Sequence, residues 1–350
     1  MHLVSLLRDE VRRFAALNAS DRPWLMPVAA AAATGVPVAI GVAVGAPAQG
    51  VLASLGGLLF LYLPPTALSH RMAHLMACAF GLTSSFALGM LTQMLPVLAV
   101  PMLVVIASLV TMISRVYSLP PPGSFFFVMA AAMGAYTPGA GPALATNVGL
   151  LSLGCLGATF IAFVYSLAIL RRVAPRPPPV HDKLSFELVV VDSIIIGAFV
   201  GIALGVALAL QMPRPYWVPV SCLAVLQGNS LRTMWSRQLH RIAGTVVGLG
   251  IFWLIALLHP GPWGVALAIA LLTFVIESLV VRHYGLAMAF ITPLTILLAE
   301  AAQPLADAQG IMSARLHDTL LGCAVGVAGG ICLHSSRLRQ WLGASLSLRS

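Results

Sequence analysis

Residues 188–210, LVVVDSIIIGAFVGIALGVALAL, decide the fold class. These 23 residues carry a single charge, at Asp192. A helix that crosses a bilayer needs about 20 predominantly apolar residues. We therefore predict a transmembrane helix here.

Similar apolar stretches recur along the whole chain with short turn-like breaks. In the first half we predict helices near 24–46, 50–65, 72–92, 95–113, 123–137 and 146–170. In the second half we predict them near 188–210, 216–228, 240–258, 263–281, 284–300 and 316–335. Four of these are short for a full crossing and could be tilted, broken or re-entrant, namely 50–65, 123–137, 216–228 and 284–300. The predicted fold is an all-α, polytopic transmembrane bundle of about twelve helices.

The composition agrees with this prediction. Of the 350 residues, 59% are hydrophobic and 8% are charged, whereas a soluble domain has about 25% charged residues. The net charge of +9 comes from one lysine, Lys183, and from arginines in the short gaps between apolar stretches. Nucleic-acid binding is excluded, because tracking phosphates needs a continuous basic face.

Charge placement tests the helix count independently. With a cytoplasmic N-terminus, all basic residues except Arg214 and Arg315 fall on the inner side. Basic residues concentrate in cytoplasmic loops. An incorrect number of helices would distribute the basic residues over both sides of the membrane. We therefore predict that both termini are cytoplasmic.

The chain divides at the proline-rich segment RRVAPRPPPVHDKLSFE, because its proline run cannot continue a helix. We predict a cytoplasmic amphipathic segment at 1–22, a first transmembrane half at 23–170, and a cytoplasmic linker at 171–187. A second transmembrane half at 188–335 and a cytoplasmic tail at 336–350 follow.

The two halves also resemble each other weakly. The tetrapeptide starting at His70 (HRMA) matches the one starting at His240 (HRIA), and Gly154-Cys155 matches Gly322-Cys323. We interpret this as two parallel six-helix units related by an axis along the membrane normal, which is a feature of transporters. Chance similarity between apolar segments is the alternative.

The second half contains a recognisable pattern. It consists of RPYWVP at 214–219, Gln227-Gly228, and RQLHRIAGTVVG at 237–248. A Tyr-Trp pair that opens a short apolar helix, followed by a basic turn and an R-x-x-G-T-x-x-G helix start, resembles the FUSC family. These are the fusaric acid resistance and aromatic acid exporter-like membrane proteins. The resemblance covers 200–258 and extends to 315–330.

This resemblance implies a protein of the inner (plasma) membrane, in a family some of whose members export aromatic carboxylic acids. The larger exporters in the family have a sizeable soluble domain between two membrane halves, where this chain has only the linker at 171–187.

The candidate substrate-binding residues are arginines and aromatics. A guanidinium offers planar, bidentate donors to a carboxylate, and an aromatic ring can stack on a substrate ring. Arg214, Tyr216 and Trp217 are candidates on the outer side, and Arg241 is a candidate at the start of the helix predicted at 240–258. An interfacial aromatic belt and positive-inside anchoring are the alternatives.

Charges within a membrane are costly and tend to be functional. Glu277, Asp192 and Asp318 are therefore candidate proton-coupling carboxylates. Glu277 and Asp192 could instead reach the cytoplasmic interface. Asp318 could simply pair with Arg315, three residues earlier on the same helix.

We predict a transporter rather than an enzyme, since no nucleophile–base pair or metal-ligand cluster is visible and no cofactor is predicted. No phosphate-binding loop motif is present, so an ion gradient would drive export of small organic acids. A passive channel or a component of a larger assembly is the alternative, and an enzyme acting on lipid is the weakest reading. The predicted partners are the lipid bilayer and the organic acid, and a homo-oligomer is left open.

Overall fold

The structure is a computed structural model that describes residues 22–139, 141–178, 186–228, 230–300 and 307–335. Across these residues the chain is helical and contains no strand. The predicted all-α polytopic fold is confirmed, and each of the twelve predicted helices is present. The amphipathic segment and the tail that we predict at the two termini lie outside the described residues, apart from Arg22.

The helices of the first half are α1 (Leu25–Ala43), α2 (Pro47–Gly57), α3 (Leu68–Leu91), α4 (Ala99–Val116), α5 (Phe125–Gly134) and α6 (Pro142–Ile169). Those of the second half are α7 (Phe186–Ala209), α8 (Trp217–Leu226), α9 (Leu231–Leu257), α10 (Pro262–Leu279), α11 (Tyr284–Glu300) and α12 (Ala308–Leu333). A 3₁₀ segment, Leu58–Tyr62, continues α2.

Eight of these helices are long and apolar enough to cross a membrane. The four predicted short segments are short in the structure as well, at α2 with its 3₁₀ extension, α5, α8 and α11. Large apolar side chains cover the outside, with Phe80, Val97 and Leu258 among the most exposed. Such an apolar exterior is stable only against lipid.

The short helices α5 and α8 lie side by side in the centre of the bundle. All ten residues of α8 are buried, and ten helical residues span about 15 Å. At one end of the pair the rings of Tyr136 and Tyr216 are in contact. At the other end the Gln227 amide donates a hydrogen bond to the Pro122 carbonyl, at 3.1 Å. The two halves therefore meet at this central pair.

Helix contacts follow the same order in each half. In the first half α1 packs on α2 and α6, while α3 packs on α5 and α6. In the second half α7 packs on α8 and α12, while α9 packs on α11 and α12. Besides the central pair, two extensive contacts join the halves, α1 with α10 and α4 with α7. We call these contacts the first seam and the second seam.

Helix α9 begins nine residues earlier than predicted. Ser230 caps it by accepting a hydrogen bond from the Thr233 backbone N–H, and Met234, which is 2% exposed, anchors the first turn. This extension contains several polar residues, so the apolar pattern of the sequence does not indicate it. Arg241 is therefore the eleventh residue of α9, so its predicted position at the start of the helix is wrong.

Candidate functional site

Several charged side chains are buried among the residues that the structure describes. A buried charge in a membrane protein is costly, faces the bundle interior or a cavity, and marks a candidate functional site. These side chains are Arg71, Asp192, Arg241, Glu277, Arg315 and Asp318. Three of them, Arg241, Arg315 and Asp318, surround the short helix α8.

The first contact of this cluster is between Arg315 and Trp217. Trp217 is the first residue of α8 and is 2% exposed. The guanidinium carbon of Arg315, on α12, lies 3.6 Å from the centroid of the indole ring, which is a cation–π geometry. One guanidinium nitrogen also donates a hydrogen bond to the Thr295 hydroxyl of α11, at 3.1 Å. Three helices thus fix the position of one cation.

A row of aromatic rings continues from Trp217 to the first half of the chain. The centroids of the Tyr216 and Trp217 rings are 5.2 Å apart, and those of Tyr136 and Tyr216 are 5.6 Å apart. Tyr136 follows the end of α5. The aromatic part of the site therefore spans the contact between the halves.

Asp318 is a buried acid beside this cation. It lies three residues after Arg315 on α12 and is fully buried. Neither carboxylate oxygen has a hydrogen-bond partner among the described residues, although Arg315 and Arg214 both act on it electrostatically. The predicted helix-surface pairing of Asp318 with Arg315 is therefore not a hydrogen-bonded ion pair, and the guanidinium stacks on Trp217 instead.

Arg241 approaches α8 from the side of α9. It is 3% exposed, and one of its terminal nitrogens donates a hydrogen bond to the Ser221 hydroxyl at 3.1 Å. Its Nε has no hydrogen-bond partner among the described residues. Because Ser221 lies one turn beyond Trp217 on α8, the buried cations follow the length of this short helix.

Glycines on α12 allow these groups to come together. A Cβ at Gly322 would collide with the Val218 carbonyl oxygen of α8, and one at Gly326 would lie 3.0 Å from the Cys222 carbonyl oxygen. Small residues one turn apart let two helix backbones approach closely. Among the described residues, the site brings Arg214, Arg241 and Arg315 together with Asp318, and guanidinium groups are suited to binding a carboxylate.

Two predicted residues lie elsewhere. Glu277 is paired with Arg22 across the first seam, with the Oε2–Nη1 distance at 2.7 Å. Asp192 is paired with Arg115 across the second seam, at 2.6 Å. The structure thus separates these two acids from the cluster that contains Arg214, Tyr216, Trp217 and Asp318.

Sequence reasoning missed three contributors, Tyr136, Ser221 and Thr295, and gave Arg315 only a pairing role. The signal for Arg315 was its position, since it is one of the two arginines that the predicted topology places outside the cytoplasmic segments. Ser221 and Thr295 stand in apolar sequence and Tyr136 stands in the break that follows a short helix, so no charge marks any of the three.

Comparison with known proteins finds a family match over this part of the chain. Residues 194–329 match the family model described as "Fusaric acid resistance protein-like", which confirms the resemblance found in the sequence. All the residues of the site except Tyr136 lie within the matched range. No solved structure matches the chain significantly.

The fold defines the class: the chain is a polytopic integral membrane protein. It is similar to the membrane protein YvaC of Bacillus subtilis (strain 168), with 36% identity over 127 residues. These residues make up 36% of this chain and 20% of that protein, so the match spans about a fifth of the relative's length.

Proposed function

We propose that the protein is a secondary transporter that exports small organic acids, with aromatic carboxylic acids as the favoured class. The observation that carries this proposal is that buried Arg241 and Arg315 lie against α8 beside stacked aromatic rings. A transported anion needs compensating positive charge inside a low-dielectric protein. An aromatic ring needs flat apolar surfaces on which to pack.

The substrate carboxylate would bind the arginines. The Nε of Arg241 faces the interior without a hydrogen-bond partner among the described residues, so it is available to an oxygen of the substrate. Arg315 is held on Trp217 by stacking, and Arg214 lies three residues before Trp217 and acts on Asp318. Tyr216 and Trp217, with Tyr136 from the first half, would contact the aromatic ring.

Asp318 is the favoured proton carrier among the three candidate acids. The charges of Glu277 and Asp192 are each matched by a hydrogen-bonded arginine. Asp318 makes no hydrogen bond to any described residue and lies beside the proposed anion site. A buried carboxylate in this setting can exchange a proton as the neighbouring anion arrives and leaves.

The arrangement of the helices supports alternating access by rocking. The proposed site lies where α5 of one half meets α8 of the other. Transporters built from repeats place the site at the interface between the repeats and move the repeats around it. The matching helix contacts of the two halves are what such a duplication would produce.

The test is proton movement in proteoliposomes that contain a pH-sensitive dye and are challenged with a panel of aromatic carboxylates. We expect substrate-dependent proton movement with the unchanged protein. With Asp318→Asn it should fall to the level of empty liposomes, because the amide cannot carry the proton. Asp307→Asn is the matched control: Asp307 is the exposed N-cap of the same helix, and asparagine also serves as an N-cap.

Other outcomes would redirect the proposal. Substrate flux without proton movement would favour a passive channel. Silence across the panel, with folded protein, would count against acid export and favour another substrate class. If Glu277→Gln abolishes the proton movement and Asp318→Asn leaves it unchanged, Glu277 in the first seam is the proton carrier.

A further inference from the structure

Each of the two seams between the halves carries an ion pair. In the first seam Arg22, just before α1, pairs with Glu277 of α10. In the second seam Arg115 of α4 pairs with Asp192 of α7. Each pair lies where the first helix of one half begins and the fourth helix of the other half ends. The two pairs thus occupy corresponding positions.

The charges are divided completely between the halves. The first half, together with Arg22 directly before it, supplies both arginines, and the second half supplies both acids. The acids are buried, with 5% and 9% of their side chains exposed, whereas the arginines are 34% and 32% exposed. Each arginine therefore reaches from the rim of its seam to cover a buried carboxylate of the other half.

The contacts described deeper in each seam include uncharged polar groups and glycines. The Thr34 and Thr273 hydroxyls share a hydrogen bond of 3.0 Å in the first seam. In the second seam a Cβ at Gly197 would collide with the Ser108 hydroxyl. The two charge pairs add an electrostatic attraction to these packing contacts at one end of each seam.

We propose that the two ion pairs form a clamp that holds the Arg22 and Arg115 ends of both seams closed and that opens when the halves rock apart. This inference deepens the proposed function, since the opening is the conformational step of that transport cycle. Closing the seams pairs the charges, and opening them lets water replace each partner. The clamp therefore biases the protein toward the state in which this end is closed.

The test is thiol accessibility, which needs no substrate. In a cysteine-free background, Thr273→Cys reports on the first seam and Ser108→Cys on the second. Both are close replacements of a hydroxyl by a thiol. A membrane-impermeant maleimide is applied to open membrane sheets, so that both faces are accessible. We expect Glu277→Gln to increase labelling at position 273 and Asp192→Asn to increase labelling at position 108. The increase should be about tenfold, which corresponds to about 1.4 kcal/mol.

The charge swap separates the clamp from a general loss of structure. The double variant Arg22→Glu/Glu277→Arg restores the pair with reversed polarity and should return labelling at position 273 toward the unchanged level. Labelling that does not respond to either neutral variant would overturn the proposal, as would a swap that labels like Glu277→Gln. If the labelling results are as expected and no aromatic acid is transported, the clamp is supported and the proposed function is contradicted.

Discussion

Replacing Arg315 by alanine is expected to raise the apparent KM for an aromatic carboxylate by about tenfold to a hundredfold, because a charged hydrogen bond contributes about 1.5–3 kcal/mol. Arg315→Lys should give an intermediate value. It keeps the charge and loses the planar guanidinium that stacks on Trp217 and reaches Thr295. Initial rates of substrate movement in proteoliposomes, measured against substrate concentration, give this KM.

Arg282→Ala is the matched control for this experiment. Arg282 lies exposed between α10 and α11, so its loss should leave the KM unchanged. An unchanged KM in Arg315→Ala, with a normal thermal unfolding midpoint, would show that this cation stabilises the fold and does not contact the substrate.

Gly154→Ala is expected to destabilise the protein severely. A Cβ at this position of α6 would collide with the Ala53 carbonyl oxygen of α2. No side-chain rotation relieves a collision with backbone, so the two helices must move apart. Overpacking of this kind costs about 1–3 kcal/mol, and we expect the upper end of that range. The midpoint of thermal unfolding in detergent, measured by the loss of the monodisperse peak, reports the effect.

The control lies one turn further along the same helix. A Cβ at Gly157 would meet nothing within 4 Å, and alanine has a higher helix propensity than glycine. Gly157→Ala should therefore unfold at the same temperature as the unchanged protein or slightly higher. Equal midpoints for the two variants would show that α2 and α6 are further apart than the structure places them.

The sequence predicted the helices well because lipid imposes a strong and local signal, a continuous apolar stretch. The signal weakens where a helix extends beyond the apolar region. For this reason α9 and α12 begin at Leu231 and Ala308, nine and eight residues before their predicted starts. The start of α9 is marked by the cap of Ser230 with Thr233, which lies outside the apolar stretch.

The site was predicted only in part. Arg214, Tyr216, Trp217 and Asp318 do gather, because α12 packs closely on α8 through glycine contacts. Which acid remains beside them depends on the rotation of each helix about its axis. In the sequence Glu277 and Asp192 are candidates alongside Asp318, and the arginines that pair with them in the structure come from distant parts of the chain. Contacts between distant segments of this kind leave no trace in a single sequence.

The division of charge across the seams has a consequence for assembly. Two copies of the first half would place Arg22 opposite Arg115, and two copies of the second half would place Glu277 opposite Asp192. Like charges repel at both seams in either case, so the association of two identical halves is disfavoured. Expressed as two separate chains cut within the linker, the halves should co-purify as a one-to-one heterodimer, and neither should form a stable homodimer.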